Sequence, residues 1–258
     1  MIRLGVVADV HADYAALNAT LGHLRQMGCA TVWCAGDLVG DGPGSEAVVS
    51  LLRAENVPTV VGNHERWVLN GETAEGQDLS SDSRRWLRAL PYVHRAELGG
   101  VCVAMIHGDA SSVAAVAGVR FDTDPSDVSA DWPSLSLRAL LDDLGADVLL
   151  VGHTHDPWCL TLNHAGKHPA ERTWRPMVAN PGACCRLGQA FVRKPQPRRR
   201  LRAESHGCAS EGLWVPTGSP RRPSFGVLDL PECRFDVYEI GDDGRASKAD
   251  IHRGPTAP

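Results

Sequence analysis

The sequence lacks an apolar run that approaches the roughly 18 residues of a membrane span. Met1-Ile2-Arg3 also leads directly into a strand-like run, without the apolar segment of a signal peptide. We therefore expect a cytoplasmic protein with no membrane partner. An excess of positive charge is lacking too, because the formal net charge is -5. This balance argues against a generally nucleic-acid-binding surface, so nucleic acid is expected only as a substrate.

The eight cysteines form no CxxC pair and no zinc-ribbon spacing. Several lie in apolar strand-like runs, where a thiol behaves as a small hydrophobic residue. We therefore expect reduced, structural cysteines. The adjacent Cys184 and Cys185 are expected to be ordinary thiols as well, because a disulfide between neighbouring residues is sterically awkward.

Hydrophobic residues make up 43% of the 258 residues, so the chain can bury a substantial core. Strand-like and helical patterns alternate up to residue 90, which predicts an α/β fold with a largely parallel sheet. Helices are predicted from residue 14 to 27, 45 to 55, 83 to 90 and 135 to 144, whereas residues 65–82 are polar and weakly patterned. Four later strand-like runs predict a second sheet with antiparallel pairs: 158–163, 174–178, 224–230 and 234–240.

The predicted domain covers residues 1–241 and is followed by a flexible tail, 242–258. An arginine-rich insertion is predicted at about residues 187–222. By counting, residues 183–223 hold eight arginines and one lysine against two glutamates, which gives +7 and leaves -12 for the remainder. The insertion is either a disordered surface segment or a mobile arm that attracts a polyanionic substrate. The arm would present Arg198, Arg199, Arg200 and Arg202.

One pattern occurs five times: an apolar run followed at once by a side chain that can bind a metal. Loops beyond the carboxyl ends of parallel strands converge, so these side chains should meet. Their carboxylate, imidazole and amide groups suit Mn, Fe, Ni, Co or Zn. Seven ligands are too many for one such ion, and a shared carboxylate, for which Asp37 is the candidate, would let two ions lie about 3.5 to 4 Å apart. The seven are Asp9, His11, Asp37, Asn63, His107, His153 and His155.

These residues lie in five ordered motifs that resemble those of the calcineurin-like metallophosphoesterase superfamily, in particular its small prokaryotic phosphodiesterase-like branch. The resemblance implies a four-layer α/β/β/α sandwich, with two mixed sheets flanked by helices and a dinuclear metal site at the strand ends. It also implies that Asp9, His11, Asp37 and His155 hold one ion, that Asp37, Asn63, His107 and His153 hold the other, and that His64 is catalytic. The motifs are Asp9-Val10-His11, Gly36-Asp37, Gly62-Asn63-His64-Glu65, His107-Gly108-Asp109 and Gly152-His153-Thr154-His155.

The implied activity is metal-dependent hydrolysis of phosphate esters. A metal-bridging hydroxide would attack phosphorus in line, while His64 would protonate the leaving oxygen or stabilise charge on it. The family's protein phosphatases read GDxVDRG and RGNHE, whereas this chain has Gly40-Asp41-Gly42 and Val61-Gly62. A phosphodiester or nucleotide substrate is therefore favoured over the alternatives, a protein serine/threonine phosphatase or a phosphomonoesterase. A non-catalytic metal-binding scaffold is the further alternative. The sequence does not specify the physiological substrate, the native metals or the oligomeric state.

Overall fold

The computed structural model describes residues 1–40, 43–108, 134–162, 175–186, 190–194, 213–217 and 222–253. The helices are α1 (Tyr14–Gln26), α2 (Ser45–Ala54), α3 (Asn63–Asn70), α4 (Ser81–Arg88) and α5 (Ser134–Leu144). The first strands are β1 (Ile2–Val7), β2 (Thr31–Cys34), β3 (His94–Leu98), β4 (Val101–Met105), β5 (Val148–Leu150), β6 (Pro157–Thr161) and β7 (Met177–Pro181). The later strands are β8 (Ala190–Lys194), β9 (Leu213–Thr217), β10 (Ser224–Leu230), β11 (Arg234–Ile240), β12 (Ala246–Lys248) and β13 (His252–Arg253).

Two mixed sheets carry the fold. The first has the order β12-β11-β10-β1-β2, in which β1 is parallel to β2 and antiparallel to β10. The second has the order β13-β6-β7-β5-β4-β3, in which β5 is parallel to both β4 and β7. The four later runs were predicted to form a second sheet with antiparallel pairs. The antiparallel pairs are present, β6 with β7 and β10 with β11, but the two pairs do not share one sheet. Instead β10 and β11 extend the sheet of β1, while β6 and β7 extend that of β5.

The alternation of side chains along the central strands produces four layers. In β1, Leu4 and Val6 enter the core between the two sheets, whereas Val7 packs against α1 and α2. In β4, Val103 and Met105 enter the same intersheet core. Ala104 of β4 packs instead with residues of α5. This arrangement confirms the predicted α/β/β/α sandwich.

The helix α3 lies in the stretch whose weak pattern predicted no element. Its buried side chains are Asn63, Glu65 and Val68, so two of the three are polar and no apolar stripe marks the helix. The Glu65 carboxylate accepts from the backbone N–H of Gly62, the residue before the first turn, and Gly71 ends the helix in the left-handed conformation. Capping rather than hydrophobic periodicity therefore defines this helix.

The predicted insertion and tail both contribute strands. Strands β8 and β9 lie within the arginine-rich insertion and pair with each other, while Arg198, Arg199, Arg200 and Arg202 lie outside the described residues. In the tail, β12 pairs with β11 and β13 with β6. The division into domain, insertion and tail stays a prediction.

The cysteines of the described residues form no disulfide with one another, and their reduced, structural role stays a prediction. Burial raises the pKa of the Cys184 thiol to about 12. No helix among the described residues is long and apolar enough to cross a membrane, and the cytoplasmic location stays a prediction.

Candidate metal centre

The loops after β1, β2, β4 and β5 meet at one edge of the two sheets, together with the first turn of α3. Backbone hydrogen bonds join these loops in pairs. The N–H of Asp9 donates to the carbonyl of Gly36 at 3.0 Å, and that of His11 donates to the carbonyl of Asp37 at 3.0 Å. On the second sheet, the N–H of Gly152 donates to the carbonyl of His107 at 2.9 Å. Backbone hydrogen bonds therefore hold the loops of each sheet together.

Five of the seven predicted ligands have a left-handed backbone. Residues other than glycine pay roughly 1 to 2 kcal/mol for this conformation, so it persists only where the surroundings enforce it. Such strain is concentrated at functional sites in many proteins. The φ angles are 52° at Asp9, 44° at His11, 53° at Asp37, 72° at His153 and 60° at His155.

The first group of ligands is Asp9, His11, Asp37 and His155, whose ligand atoms lie within 4.8 Å of one another. The Nε2 atoms of His11 and His155 are 3.0 Å apart, and Nε2 of His155 lies 3.7 Å from Oδ1 of Asp9. Burial lowers the pKa of His11 to about 4 and that of His155 to about 3. Both imidazoles are therefore neutral at physiological pH and keep a lone pair for a cation.

The second group is Asp37, His107 and His153, again within 4.8 Å, and Asn63 adds an amide oxygen to it. Oδ1 of Asn63 lies 2.9 Å from Nε2 of His107 and 3.0 Å from Nδ1 of His153. Nδ1 of His107 donates to the carbonyl of Ala35 at 2.7 Å, which leaves Nε2 facing the carboxylate of Asp37 at 3.2 Å. Backbone contact thus selects the nitrogen that would bind a metal.

The two buried aspartates differ in their protonation. Burial raises the pKa of Asp9 to about 8, and the charge of Asp37 adds to the rise. Burial would also raise the pKa of Asp37, but the charge and the hydrogen bond of His107 outweigh it and hold this pKa well below its usual range. Conversely, burial would lower the pKa of His107, and Asp37 raises it to about 10. Asp37 is therefore ionised, and its negative charge lies between the two ligand groups.

The donor set fits divalent metals. Carboxylate, imidazole and amide oxygen ligands are those that Mn, Fe, Co, Ni and Zn take in proteins. Asp37 belongs to both groups, as expected for a shared ligand. The structure thus brings all seven predicted ligands together, while their ligation of a metal and the number of ions stay predictions.

Glu65 holds the backbone of the shared ligand, Asp37, through hydrogen bonds. Its carboxylate is fully buried, and it accepts four backbone N–H bonds, from Asp37 at 3.0 Å, Leu38 at 2.7 Å, Val39 at 3.1 Å and Gly62 at 2.8 Å. One side chain therefore caps both the loop that carries Asp37 and the start of α3. Asp41 and Asp109, which adjoin other motifs, lie outside the described residues.

His64 lies beside the second group without joining it. Its backbone N–H donates to Oδ1 of Asp37 at 3.0 Å, and its Nε2 lies 3.9 Å from Oδ2 of the same carboxylate. Its Nδ1 lies 2.7 Å from Oε2 of Glu75. Sequence reasoning missed Glu75, because the segment that carries it has neither a motif nor a periodic pattern.

The segment Asn180-Pro181-Gly182 holds the motif Gly152-His153-Thr154-His155 through hydrogen bonds. The Asn180 amide donates to the carbonyl of Gly152 at 2.7 Å and to Oγ1 of Thr154 at 3.0 Å, while its oxygen accepts from the N–H of Gly182 at 2.7 Å. The loop that carries His153 and His155 is therefore held by a neighbouring strand of the same sheet.

A cavity of about 710 Å³ opens beside His155. Its apolar walls include Ala183, Pro223 and Ile240, and Arg186 and Arg222 contribute two cationic groups. The backbone N–H of Arg186 donates to the side chain of Asp13 at 2.9 Å, which fixes the position of that wall. The cavity also carries three carboxylates, from Asp156, Glu239 and Asp242.

Comparison with known proteins agrees with this geometry. The sequence pattern of the family described as the calcineurin-like phosphoesterase superfamily domain matches residues 2–193. Protein MJ0912 of Methanocaldococcus jannaschii is 25% identical over 200 residues, which cover 70% of this chain and 75% of that protein.

Two solved structures are similar in fold. The metallophosphoesterase from Sphaerobacter thermophilus has a TM-score of 0.57 at 20% identity, and the match covers 97% of this chain and 90% of that one. The hypothetical protein PH1004 from Pyrococcus horikoshii has a TM-score of 0.58 at 16% identity and covers 93% and 88% of the two chains.

Proposed function

Since the chain belongs to the calcineurin-like phosphoesterase superfamily, we propose that it is a metal-dependent hydrolase whose substrate is a phosphodiester or a nucleotide. The observation that carries the proposal is the pair of ligand groups that share Asp37. Two such groups match the chemistry of phosphoryl transfer, in which both the attacking and the leaving oxygen need stabilisation.

Two divalent ions, drawn from Mn, Fe, Ni, Co or Zn, would supply positive charge that neutralises phosphate oxygens and acidifies the attacking water. Asp9, His11, Asp37 and His155 would hold one ion. Asp37, Asn63, His107 and His153 would hold the other. Backbone hydrogen bonds between the loops hold these donor atoms close together, which reduces the reorganisation that ion binding requires.

His64 is assigned the role of proton donor to the leaving oxygen. Its Nε2 faces the shared carboxylate at 3.9 Å, so it reaches the space above the second ligand group. The side chain keeps about a fifth of its surface exposed, which a group that meets substrate requires. Positioned proton donors contribute roughly 10² to 10⁴ in rate.

Two observations favour a diester or nucleotide over a phosphoprotein. Where the protein phosphatase motif has an arginine before Gly-Asn-His, this chain has Val61, whose side chain is buried. The cavity beside His155 is also large enough for a nucleoside-sized group, since ligand pockets commonly measure about 300 to 1,000 Å³. Its arginines and carboxylates offer both donors and acceptors to the part of the substrate that does not react.

The test compares bis(p-nitrophenyl) phosphate with p-nitrophenyl phosphate, using protein that has been chelated and then supplied with Mn, Ni, Mg or Zn. We expect faster metal-dependent hydrolysis of the diester. A preference for the monoester would make the protein a phosphomonoesterase, and inactivity towards both would favour the scaffold. His64→Ala should remove most of the activity and leave the fold intact, so a fully active variant contradicts the role of His64.

A further inference from the structure

His64 is held on three sides. The ring of His11 lies 4.5 Å from it, edge to face, and the ring of Trp67 lies 4.7 Å away on the same helix. Oε2 of Glu75 lies 2.7 Å from Nδ1, the ring nitrogen that faces away from the metal ligands. These contacts leave Nε2 as the nitrogen directed towards Asp37.

Glu75 is itself held in place. Its side chain is only 10% exposed, although it lies in a polar loop between α3 and α4. The guanidinium of Arg84 donates to the carbonyl of the next residue, Gly76, at 2.9 Å. The N–H of Leu79 donates to the same carbonyl at 3.1 Å. The loop is therefore tied to α4, and the carboxylate stands where the imidazole needs an acceptor.

The contact selects one form of the imidazole. A carboxylate can only accept hydrogen bonds, so Nδ1 of His64 must carry the hydrogen. Only Nε2 is then available to exchange a proton with a substrate. When Nε2 is also protonated, the negative charge of Glu75 compensates the positive charge of the ring at 2.7 Å. Glu75 thus favours a proton donor in a single orientation.

We propose that Glu75 is a positioning residue that holds His64 as the proton donor for a leaving alkoxide. The substrates of this site are therefore phosphate esters of alcohols rather than phosphoanhydrides. The inference rests on the proposed function. An alkoxide is a strong base that leaves readily only when it is protonated, whereas the phosphate released from an anhydride is a weak base that needs no proton. A carboxylate behind the histidine, as the partly buried Glu75 provides, serves the first class only.

The proposed hydrolysis conserves atoms and protons with water, the ester and His64 alone. Water oxygen forms a bond to phosphorus, and the bond from phosphorus to the ester oxygen breaks. The electron pair of the broken bond stays on the ester oxygen, which takes the proton of Nε2 of His64 and departs as an alcohol. One hydrogen of the water stays with the phosphate product, and the other returns through solvent to Nε2, while Nδ1–H remains bound to Glu75.

Two diesters that differ only in the leaving group test the proposal: ethyl p-nitrophenyl phosphate and ethyl phenyl phosphate. Glu75→Gln keeps the shape of the side chain and removes its charge. We expect kcat for the phenyl ester to fall at least about tenfold more than kcat for the nitrophenyl ester, a part of the 10² to 10⁴ typical of proton donors. KM should stay close to that of the wild type. Glu72→Gln on the same loop is the matched control, because Glu72 contacts Asn70 rather than His64.

A double-mutant cycle and a spectrum complete the test. His64→Ala and the double variant should have the same kcat if Glu75 acts through His64, and additive losses overturn the assignment. In metal-free protein, ¹⁵N shifts of His64 should show a protonated Nδ1 in the wild type and a mixture of tautomers in Glu75→Gln. Identical spectra, or equal losses with both esters, overturn the role of Glu75. Hydrolysis of neither ester by the wild type overturns the proposed function and the substrate class, while the spectra still decide the positioning.

Discussion

Replacing Glu65 with glutamine tests whether one buried carboxylate holds the two loops of the metal centre together. Oε1 accepts the N–H of Leu38 at 2.7 Å and that of Val39 at 3.1 Å. Oε2 accepts the N–H of Asp37 at 3.0 Å and that of Gly62 at 2.8 Å. Burial and the charge of Asp37 raise the pKa of Glu65, yet four donors need four lone pairs, so the geometry requires the ionised form.

A glutamine has one oxygen and one NH₂ group. The oxygen can replace one carboxylate oxygen, but the NH₂ group must then face two backbone N–H groups that have lost their acceptor. Each buried, unsatisfied donor costs about 1 to 3 kcal/mol. Glu65→Gln should therefore destabilise the fold by roughly 2 to 6 kcal/mol. Whichever oxygen is replaced by NH₂, the loop that carries Asp37 loses a hydrogen bond, because Oε2 accepts from Asp37 and Oε1 accepts from the adjacent Leu38. Metal affinity should therefore fall as well.

Equilibrium unfolding in urea, followed by tryptophan fluorescence on chelated protein, measures this loss. Glu46→Gln is the matched control, because Glu46 accepts from Ser80 and from serine hydroxyls that can rotate to suit an amide. We expect the control to change the unfolding free energy by less than about 1 kcal/mol. If Glu65→Gln unfolds at the same urea concentration as the wild type, the four hydrogen bonds do not hold the loops.

Three further perturbations follow from the same contacts. Asp37→Asn should weaken Mn binding at both proposed sites in calorimetry, because Asp37 belongs to both ligand groups; weaker binding at one site alone would contradict sharing. Gly62→Ala should lower metal affinity, since its Cβ would lie 2.2 Å from Oδ1 of Asp37, whereas Gly22→Ala, with open space around it, should not. Burial would raise the pKa of Asp229, but hydrogen bonds from two arginines lower it. Asp229→Asn should therefore lower the free energy of unfolding by about 1 to 2 kcal/mol above about pH 4. In urea titrations, this difference from the wild type should vanish as the pH falls through the folded-state pKa of Asp229.

The convergence of the seven candidate ligands could be predicted from the sequence because their signal is local. Each follows an apolar run directly, and a parallel α/β topology brings the ends of such runs to one edge. Asp37 and His107 needed no knowledge of distant contacts, since the residues before them already form β2 and β4. The four layers followed from the family resemblance, which implies two packed sheets with helices outside.

The pairing of the later strands could not be predicted, because periodicity shows that a strand is buried but not which strand it joins. All seven residues of β10 are buried, and this pattern fits either sheet equally well. The contact between His64 and Glu75 could not be predicted from the sequence for a different reason. It joins residues of one polar stretch through a loop whose path depends on Arg84 in the next helix.

The left-handed backbone at the ligands explains why the supporting residues matter as much as the ligands. Asp9 and His153 each have a positive φ, which is uncommon in residues other than glycine, and the N–H of His153 donates to both carboxylate oxygens of Asp9 at 3.0 and 3.1 Å. Strain at one ligand is thus offset by a hydrogen bond to another, across the two sheets. A single substitution in this set releases strain at several positions together, so ligand substitutions should couple rather than add. We therefore expect the centre to behave as one cooperative unit, with Glu65 and Asn180 as the groups that hold its loops.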